Sequence, residues 1–173
     1  MMFQTSPVTT WIDSPLGRIL LAATNQGLCG AWFENQSHFP DSSRWAHQQH
    51  PVFVQAQQAL SLYFSGSVSD LDCPLDLNQG TTFQQKVWRA LLQIPRGGST
   101  SYSALSTSLG KPRAQRAVGS AVGRNPLSIF VPCHRVLGLD GSLTGYAGGL
   151  ERKMSLLTHE GCIFRPPTQH GPT

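Results

Sequence analysis

Residues 111–138, KPRAQRAVGSAVGRNPLSIFVPCHRVLG, join a segment of small residues to an apolar run and a cysteine. Pro112 suits the first turn of a helix, and the Asn125-Pro126 pair suits its end. The preceding segment, STSYSALSTSLG at residues 99–110, predicts a shorter helix closed by Gly110. Two short helices joined by the tight turn LGKP form a helix-turn-helix pattern.

The second helix of this pair is a candidate DNA-binding helix. Small side chains let a helix sink into a groove, and basic neighbours can then contact the phosphates. Small residues also suit the tight packing of a helix inside a protein core, so the pattern alone is weak evidence. The small residues are Ala114, Ala117, Gly119, Ser120, Ala121 and Gly123, and the basic ones are Lys111, Arg113, Arg116 and Arg124.

Charge is divided unevenly between the two halves of the chain. Residues 1–79 hold two basic and six acidic side chains, a net charge of −4, whereas residues 80–173 hold eleven basic and three acidic ones, a net charge of +8. This division predicts an acidic supporting part and a basic part that faces a polyanion. It favours DNA binding by the second helix over a role in packing alone.

The remaining segments predict an α+β protein of two domains and a tail. Residues 1–79 contain strand-like TTWID, GRILLAAT and LCGAWF, separated by the turn signals SPLG and NQG, which predict an antiparallel meander. An irregular polar loop, a helix within PVFVQAQQALSLYFSG and a linker follow. Residues 80–164 predict a mainly helical domain, with helices in TTFQQKVWRALLQIP and LERKMSLLTHEG and the glycine-rich loop GLDGSLTGYAGG. Residues 165–173 are expected to be a disordered tail.

Cys133 is either a buried core cysteine or a nucleophile. Free cysteine is among the most buried residue types, which favours the first interpretation. A thiol ionises only partly at neutral pH, but the adjacent His134 could take its proton, directly or through water. Such a histidine needs an acceptor on its other ring nitrogen, and Glu160 in THEG is a candidate. The Cys-His pair by itself leaves both interpretations open. If Cys133 is a nucleophile, one possible activity is that of a cysteine hydrolase.

The other cysteines and histidines give no strong metal signal. Cys29, Cys73, Cys133 and Cys162 lie far apart without zinc spacing, and the sequence has no secretory signal, so we expect free thiols in a reducing cytosol. His38, His47 and His50 lie near Cys29, but a polar surface loop explains them more simply. We therefore predict no metal ion and no organic cofactor. No segment is long and apolar enough to span a membrane, and we expect a prokaryotic cytoplasmic protein without membrane contacts.

Several segments together resemble the O6-alkylguanine-DNA alkyltransferase family. The motif VPCHRV stands between RNP upstream and GYAGG downstream, and FQQKVW, IPRGGSTSY, RAVGSAVGRNP, TGYAGGLERK and HEG extend the similarity over residues 83–161. The resemblance implies a ribonuclease-H-like sheet domain followed by a winged-helix-like domain, whose helix-turn-helix enters the minor groove of double-stranded DNA. It also leaves open cooperative binding of several copies along DNA.

The resemblance also implies roles for individual residues. Cys133 corresponds to the alkyl acceptor, His134 and Glu160 to a water-linked base relay, and Asn125 to the residue that braces the active-site turn. Tyr102 corresponds to a donor to N3 of the damaged base, and Val136, Tyr146 and Ala147 to the contacts around that base. Arg116 corresponds to a finger that fills the space left by the extruded nucleotide. The further DNA contacts implied or expected are Ala117, Gly119, Ser120, Arg124 and Arg135.

The function implied is DNA repair by one irreversible transfer of an alkyl group from O6-alkylguanine, or O4-alkylthymine, to Cys133. The alternative is a DNA-binding sensor of alkyl lesions without chemistry, but the sensors of this kind have tryptophan at the cysteine position. Some members of the family have serine where this chain has Ala147. Because the contact there is largely made by the backbone, we expect activity to persist.

Overall fold

The computed structural model describes residues 6–68 and 70–167. Its N-terminal part contains β1 (Val8–Ile12), β2 (Ile19–Thr24), β3 (Gly27–Phe33) and β4 (Ala46–His47), in the sheet order β3-β2-β1-β4. β2 pairs antiparallel with both β1 and β3, which confirms the predicted meander. β4 pairs parallel with β1 and lies in a segment expected to be an irregular loop.

Helix α1 (Pro51–Phe64) follows the sheet and covers one of its faces. His50 caps its first turn, where Nδ1 accepts a hydrogen bond from the N–H of Val52 at 3.1 Å. One face of α1 is apolar and buried, and Tyr63 is the last buried residue on it. Gly66, with a φ of 78°, supplies the left-handed residue after the helix.

The C-terminal part begins with α2 (Thr82–Leu91), which Thr81 and Gln84 start with a reciprocal capping box. β5 (Thr100–Ser101), α3 (Tyr102–Ser108) and α4 (Gln115–Gly123) follow, then β6 (Val136–Leu137) and α5 (Leu150–His159). The indole of Trp88 in α2 donates to the carbonyl of Ala121 in α4 at 2.9 Å. This bond attaches the α3–α4 pair to the domain core.

Two boundaries differ from the sequence-based expectation. Pro112 does not lie in the first turn of α4, because Lys111 is held in a turn by a hydrogen bond from its N–H to the carbonyl of Ser106 and the helix begins only at Gln115. The tail is ordered at its start, since the N–H of Arg165 donates to the carbonyl of Gly141 at 2.8 Å. Residues 168–173 of the predicted tail lie outside the described residues.

The segment leading to Cys133 is attached directly to the N-terminal sheet. The N–H of Ala31 in β3 donates to the carbonyl of Pro126 at 2.8 Å, and the N–H of Ser128 donates back to Ala31 at 2.9 Å. The main hydrophobic core runs through both parts of the chain, from Leu21 and Phe33 to Val118 and beyond. The two parts therefore share one core behind the cysteine. No helix in the described ranges is long and apolar enough to cross a membrane.

Candidate active site

Cys133 begins a short 3-10 helix, Cys133–Arg135, at the end of the apolar segment. The chain turns sharply before it at Ile129, whose φ of 73° is rare for a β-branched residue. Such backbone strain persists only where the surrounding structure fixes the chain, and it is commonly found at functional sites. The side chain of Cys133 is only 5% exposed.

Asn125 braces this turn, as the family resemblance implies. Its Nδ2 donates to the carbonyl of Val131 at 2.9 Å and to the sulfur of Cys133 at 3.0 Å, while its Oδ1 accepts from the N–H of Leu127 at 3.0 Å. Burial raises the pKa of the Cys133 thiol, whereas the Asn125 hydrogen bond and the charge of Lys153 lower it. Burial has the larger effect, so the resting thiol is protonated, and Asn125 and Lys153 partly offset the cost of forming its anion.

His134 and Glu160 form the predicted pair. Nε2 of His134 lies 2.8 Å from Oε1 of Glu160, and both side chains are fully buried. Burial by itself would raise the pKa of Glu160, but hydrogen bonds from His134 and Arg135 hold it well below its ordinary value. An ionised carboxylate only accepts hydrogen bonds, so Nε2 carries the ring proton.

The other ring nitrogen of His134 is therefore free to act as a base. Nδ1 is buried and has no hydrogen-bond partner among the described residues. Burial lowers the pKa of His134, against the raising effect of Glu160, so the imidazole is neutral near pH 7. A neutral imidazole with a lone pair on Nδ1 can accept the proton of an adjacent thiol.

Arg135 is not on the DNA-facing surface, and this corrects its assignment as a DNA contact. It is 8% exposed, and its Nε donates to Oε2 of Glu160 at 2.8 Å while a second guanidinium nitrogen donates to Oε1 at 2.9 Å. A third nitrogen donates to the carbonyl of Ile94. The guanidinium turns inward because Glu160 would otherwise be a buried carboxylate without a cationic partner.

Lys153 is a site residue that sequence reasoning missed. Its side chain is 0% exposed, and Nζ donates to the carbonyl of Val136 at 2.6 Å and to that of Thr144 at 3.1 Å. Burial lowers the pKa of Lys153 to about 8. The spacing to Leu156 and Leu157 places it on the buried face of α5, and this was the available signal. Lys153 thus fixes the backbone just before the glycine-rich loop and at Thr144 within it.

A cavity of about 480 Å³ lies between α3, α4 and the glycine-rich loop, and two of its lining residues are close enough to Cys133 to feel its charge. Tyr102 and Tyr146 are in its wall, and burial together with the nearby Cys133 raises the pKa of both phenols. The N-terminal part contributes Ser37, whose N–H donates to the carbonyl of Ala147 at 2.9 Å, and this contribution was not predicted. The lining residues are Ser37, His38, Tyr102, Gly119, Gly123, Thr144, Gly145, Tyr146 and Ala147.

The outer face of α4 borders this cavity. Gly119 lines it, and a Cβ placed on Gly119 would lie 3.7 Å from the ring of Tyr102. Small and basic side chains share the exposed surface of α4 and its flanks, as expected for a helix that approaches DNA. The exposed members are Lys111, Arg113, Arg116, Ala117, Ser120 and Arg124.

The structure brings together most of the residues singled out in the sequence. Cys133, His134, Glu160 and Asn125 form one buried cluster. Val136 follows this cluster in the chain, and its carbonyl is held by Lys153. Across residues 6–68 and 70–167, no group of three or more His, Cys, Asp or Glu side chains is arranged to hold a metal ion.

Comparison with known proteins decides the family. Residues 8–77 match the family model described as 6-O-methylguanine DNA methyltransferase, ribonuclease-like domain, and residues 82–162 match that of the DNA binding domain. The chain belongs to the 6-O-methylguanine DNA methyltransferase family. This confirms the resemblance, the α+β class and the two-domain architecture.

Relatives of the 6-O-methylguanine DNA methyltransferase family match nearly the whole chain. The methylated-DNA–protein-cysteine methyltransferase of Mycobacterium tuberculosis is 45% identical over 149 residues, which are 86% of this chain and 89% of that protein. The protein of the same name from Methanosarcina barkeri is 45% identical over 150 residues, covering 86% and 94%. The crystal structure of Mycobacterium tuberculosis OGT in complex with DNA superposes with a TM-score of 0.81 at 42% identity, covering 91% of this chain and 93% of that one.

Proposed function

We propose that this protein repairs DNA by transferring an alkyl group from O6 of a damaged guanine, or O4 of a thymine, to its own Cys133. The observation that carries the proposal is the buried cluster in which Asn125 contacts the sulfur and His134 is oriented by Glu160. The name methylated-DNA–protein-cysteine methyltransferase, borne by relatives at 45% identity, supports this chemistry.

The buried cluster suits a displacement at saturated carbon. His134 takes the proton from Cys133 on Nδ1, directly or through water, and Glu160 stabilises the imidazolium that forms. The thiolate attacks the alkyl carbon in line, the C–S bond forms, and the bond from carbon to O6 breaks with its electron pair passing to guanine. Burial raises the pKa of Tyr102, so its phenol stays protonated and can donate a hydrogen bond to the departing base.

The cavity suits a nucleotide that has left the double helix. O6 of guanine is paired and stacked in a duplex, so the thiolate can reach it in line only after extrusion. Extrusion costs a few kcal/mol, and less for a weakened alkylated pair, which gives selectivity for damage without base readout. In this proposal Tyr146 and Ala147, which line the cavity, contact the extruded base together with the carbonyl of Val136.

We infer that α4 is the helix that binds double-stranded DNA, in the minor groove. Its small exposed side chains allow close approach, and the basic residues around it can contact phosphates. In this proposal the exposed Arg116 fills the duplex position that the damaged nucleotide vacates, by stacking and by pairing with phosphate. We also propose that several copies bind side by side on DNA. We further propose that the protein acts in a prokaryotic cytoplasm.

Each molecule reacts once. The product is a thioether, which His134 cannot cleave, so the protein is consumed as a reagent. The chemistry needs no metal ion or organic cofactor, because the thiolate itself is the alkyl acceptor.

The decisive experiment is intact-mass measurement after incubation with a duplex containing O6-methylguanine, followed by peptide mapping. We expect one methyl group per molecule, on Cys133, and no further transfer with excess DNA. The Cys133→Ala variant is the matched control, which should bind the duplex and gain no mass. An unmodified wild-type protein at full lesion binding would instead establish the sensor without chemistry, and a methyl group on Cys162 would refute the role of Cys133.

A further inference from the structure

The N-terminal part of the chain contacts the buried cluster through a side chain of α1, that of Tyr63. The hydroxyl of Tyr63 donates to Oε1 of Glu160 at 2.7 Å, and the bond joins residues 97 positions apart in the chain. Tyr63 is 1% exposed. Burial and the adjacent Glu160 raise the pKa of the Tyr63 phenol, so it remains a proton donor over the whole working range of pH.

Tyr63 is itself held rigidly. The guanidinium of Arg96 lies over its ring at 5.1 Å and donates to the carbonyls of Val68 at 2.7 Å and His159 at 3.2 Å. Nε2 of His159 donates to the carbonyl of Tyr63 at 2.7 Å. These bonds connect the C-terminal end of α1 to the C-terminal end of α5, where Glu160 caps the helix. The hydroxyl therefore cannot move away from Glu160 without disturbing the C-terminal ends of both α1 and α5.

Oε1 is also the atom that orients the base. It accepts from Nε2 of His134 at 2.8 Å, and the hydroxyl of Tyr63 reaches the same oxygen. A donor on a carboxylate oxygen withdraws negative charge from it and weakens its attraction for a second donor. Tyr63 thus affects how strongly Glu160 stabilises the protonated form of His134.

We propose that Tyr63 is a positioning residue of the alkyl transfer, by which the N-terminal domain orients Glu160 and sets the proton affinity of His134. The inference rests on the function proposed above. It gives the ribonuclease-like domain a direct part in the chemistry, through one hydrogen bond, in addition to its contribution to the shared core.

Other groups around His134 and Glu160 stay the same when only the hydroxyl of Tyr63 is changed. The titratable and charged side chains around the pair come from the 3-10 helix, α5 and the residues after it, the loop after α2 and the glycine-rich loop. They are Cys133, Arg135, Lys153, His159, Cys162, Arg96 and Tyr146. A change confined to one hydroxyl therefore isolates its effect on Oε1.

The test measures the single-turnover rate of methyl transfer from O6-methylguanine duplex as a function of pH, with a paired set of variants. Tyr63→Phe removes the donor, leaves Glu160 more negative and raises the pKa of His134. The acid limb of the profile should then move to higher pH, by up to about one unit. Replacing Tyr63 by 3-fluorotyrosine keeps the hydroxyl and makes it a stronger donor, so the limb should move to lower pH.

Leu60→Ala is the matched control for stability. Leu60 is buried on the same helix and makes no hydrogen bond to Glu160, so its truncation loosens α1 while the acid limb stays at the wild-type pH. Shifts of opposite sign for the two Tyr63 variants, with none for Leu60→Ala, support the inference. Superimposable limbs, shifts of the same sign, or an equal shift in Leu60→Ala overturn it.

The two proposals fail in different ways. The wild-type protein is first shown to gain a methyl group on Cys133, and absence of that adduct overturns the proposed function. If the wild-type protein reacts and the Tyr63 variants keep its pH profile, only the role of Tyr63 is overturned. If Tyr63→Phe does not fold, the 3-fluorotyrosine protein, which retains every contact, tests the role of Tyr63 alone. A shift of its acid limb to lower pH supports that role, and an unshifted limb overturns it.

Discussion

Nδ2 of Asn125 lies 3.0 Å from the sulfur of Cys133, and the same amide group spans the turn that carries the cysteine. An amide N–H can only donate, so this contact stabilises the thiolate more than the thiol. The burial that shields the sulfur from water acts in the opposite direction and raises the pKa of Cys133. Asn125 therefore couples the shape of the turn to the ionisation of the nucleophile.

Replacing Asn125 by Asp changes both the turn and the ionisation of the sulfur. The variant keeps an oxygen to accept from the N–H of Leu127, but it loses the donor to the carbonyl of Val131 and to the sulfur, and it adds a negative charge beside them. We expect the pKa of Cys133 to rise further and methyl transfer at pH 7 to fall by at least tenfold, because one pKa unit is a factor of ten in thiolate. Thiol ionisation can be followed by the pH dependence of alkylation with iodoacetamide. An unchanged Cys133 pKa would contradict the role of the amide.

Arg116→Ala tests the extrusion of the nucleotide. Because only a duplex requires extrusion, the variant should repair duplex O6-methylguanine more slowly while reacting with free O6-methylguanine base at the wild-type rate. Arg18→Ala is the control for the loss of one positive charge, since Arg18 pairs with Glu34 in the N-terminal part at 3.5 Å. Equal losses on duplex and free base would show that Arg116 does not act as a finger.

From the pKa of Lys153 we expect the pH dependence of methyl transfer to change near pH 8. Its ammonium favours the Cys133 thiolate, and its pKa of about 8 means that this support is lost above that pH. The wild-type rate should stop rising there, whereas Lys153→Met should be slower below pH 8 and lack the inflection. Unfolding does not explain the inflection. The pKa of Lys153 is about 8 in the folded protein and 10.5 in the unfolded chain, so between pH 8 and pH 10.5 the unfolded chain binds more protons and the protein becomes more stable as the pH rises.

The rate and the thermal unfolding temperature are therefore measured together across pH 6.5 to pH 9.5, a range chosen to bracket the pKa of Lys153. A wild-type profile without an inflection would contradict a charge effect of Lys153. An inflection that persists in Lys153→Met would assign it to another group.

The sequence predicted the elements of the fold where local signals agree. Strand-like segments separated by the turn signals SPLG and NQG predicted the meander, and the helical pattern of TTFQQKVWRALLQIP predicted α2. Cys133, His134 and Glu160 were candidates from the residues themselves, but only the family resemblance favoured catalysis over a buried core cysteine and added Asn125. Cys133 and His134 are adjacent in the chain, but their link to Glu160, 26 residues beyond His134, depends on how α5 packs against the 3-10 helix.

The residues that were missed or misassigned are those whose roles depend on distant partners. Tyr63 fits a helical core stripe equally well, and nothing local indicates that its hydroxyl meets Glu160. Arg135 belongs by charge to the basic half, but the need to neutralise a buried carboxylate turns it inward. Ser37 reaches the cavity because the loop after β3 contacts the glycine-rich loop. Long-range packing decides each of these.

The glycine-rich loop offers a matched pair of substitutions. A Cβ at Gly148 would lie 2.7 Å from the ring of Tyr146 and 3.2 Å from that of Phe33, whereas a Cβ at Gly145 meets nothing within 4 Å. Overpacking of this kind typically destabilises by about 1–3 kcal/mol. Gly148→Ala should therefore lower the melting temperature by about 2–4 °C for each kcal/mol lost, and Gly145→Ala should leave it unchanged or slightly raised.

The same pair also tests the placement of Tyr146. Relief of the contact at Gly148 requires the phenol to shift within the cavity wall, because Phe33 is fixed in the core and stacked against Arg152 at 4.5 Å. Methyl transfer by Gly148→Ala should then slow while binding to undamaged duplex stays the same, since α4 is untouched. Calorimetry and single-turnover kinetics on both variants measure these effects. Equal melting temperatures for the two variants would show that Tyr146 is not held where the loop geometry places it.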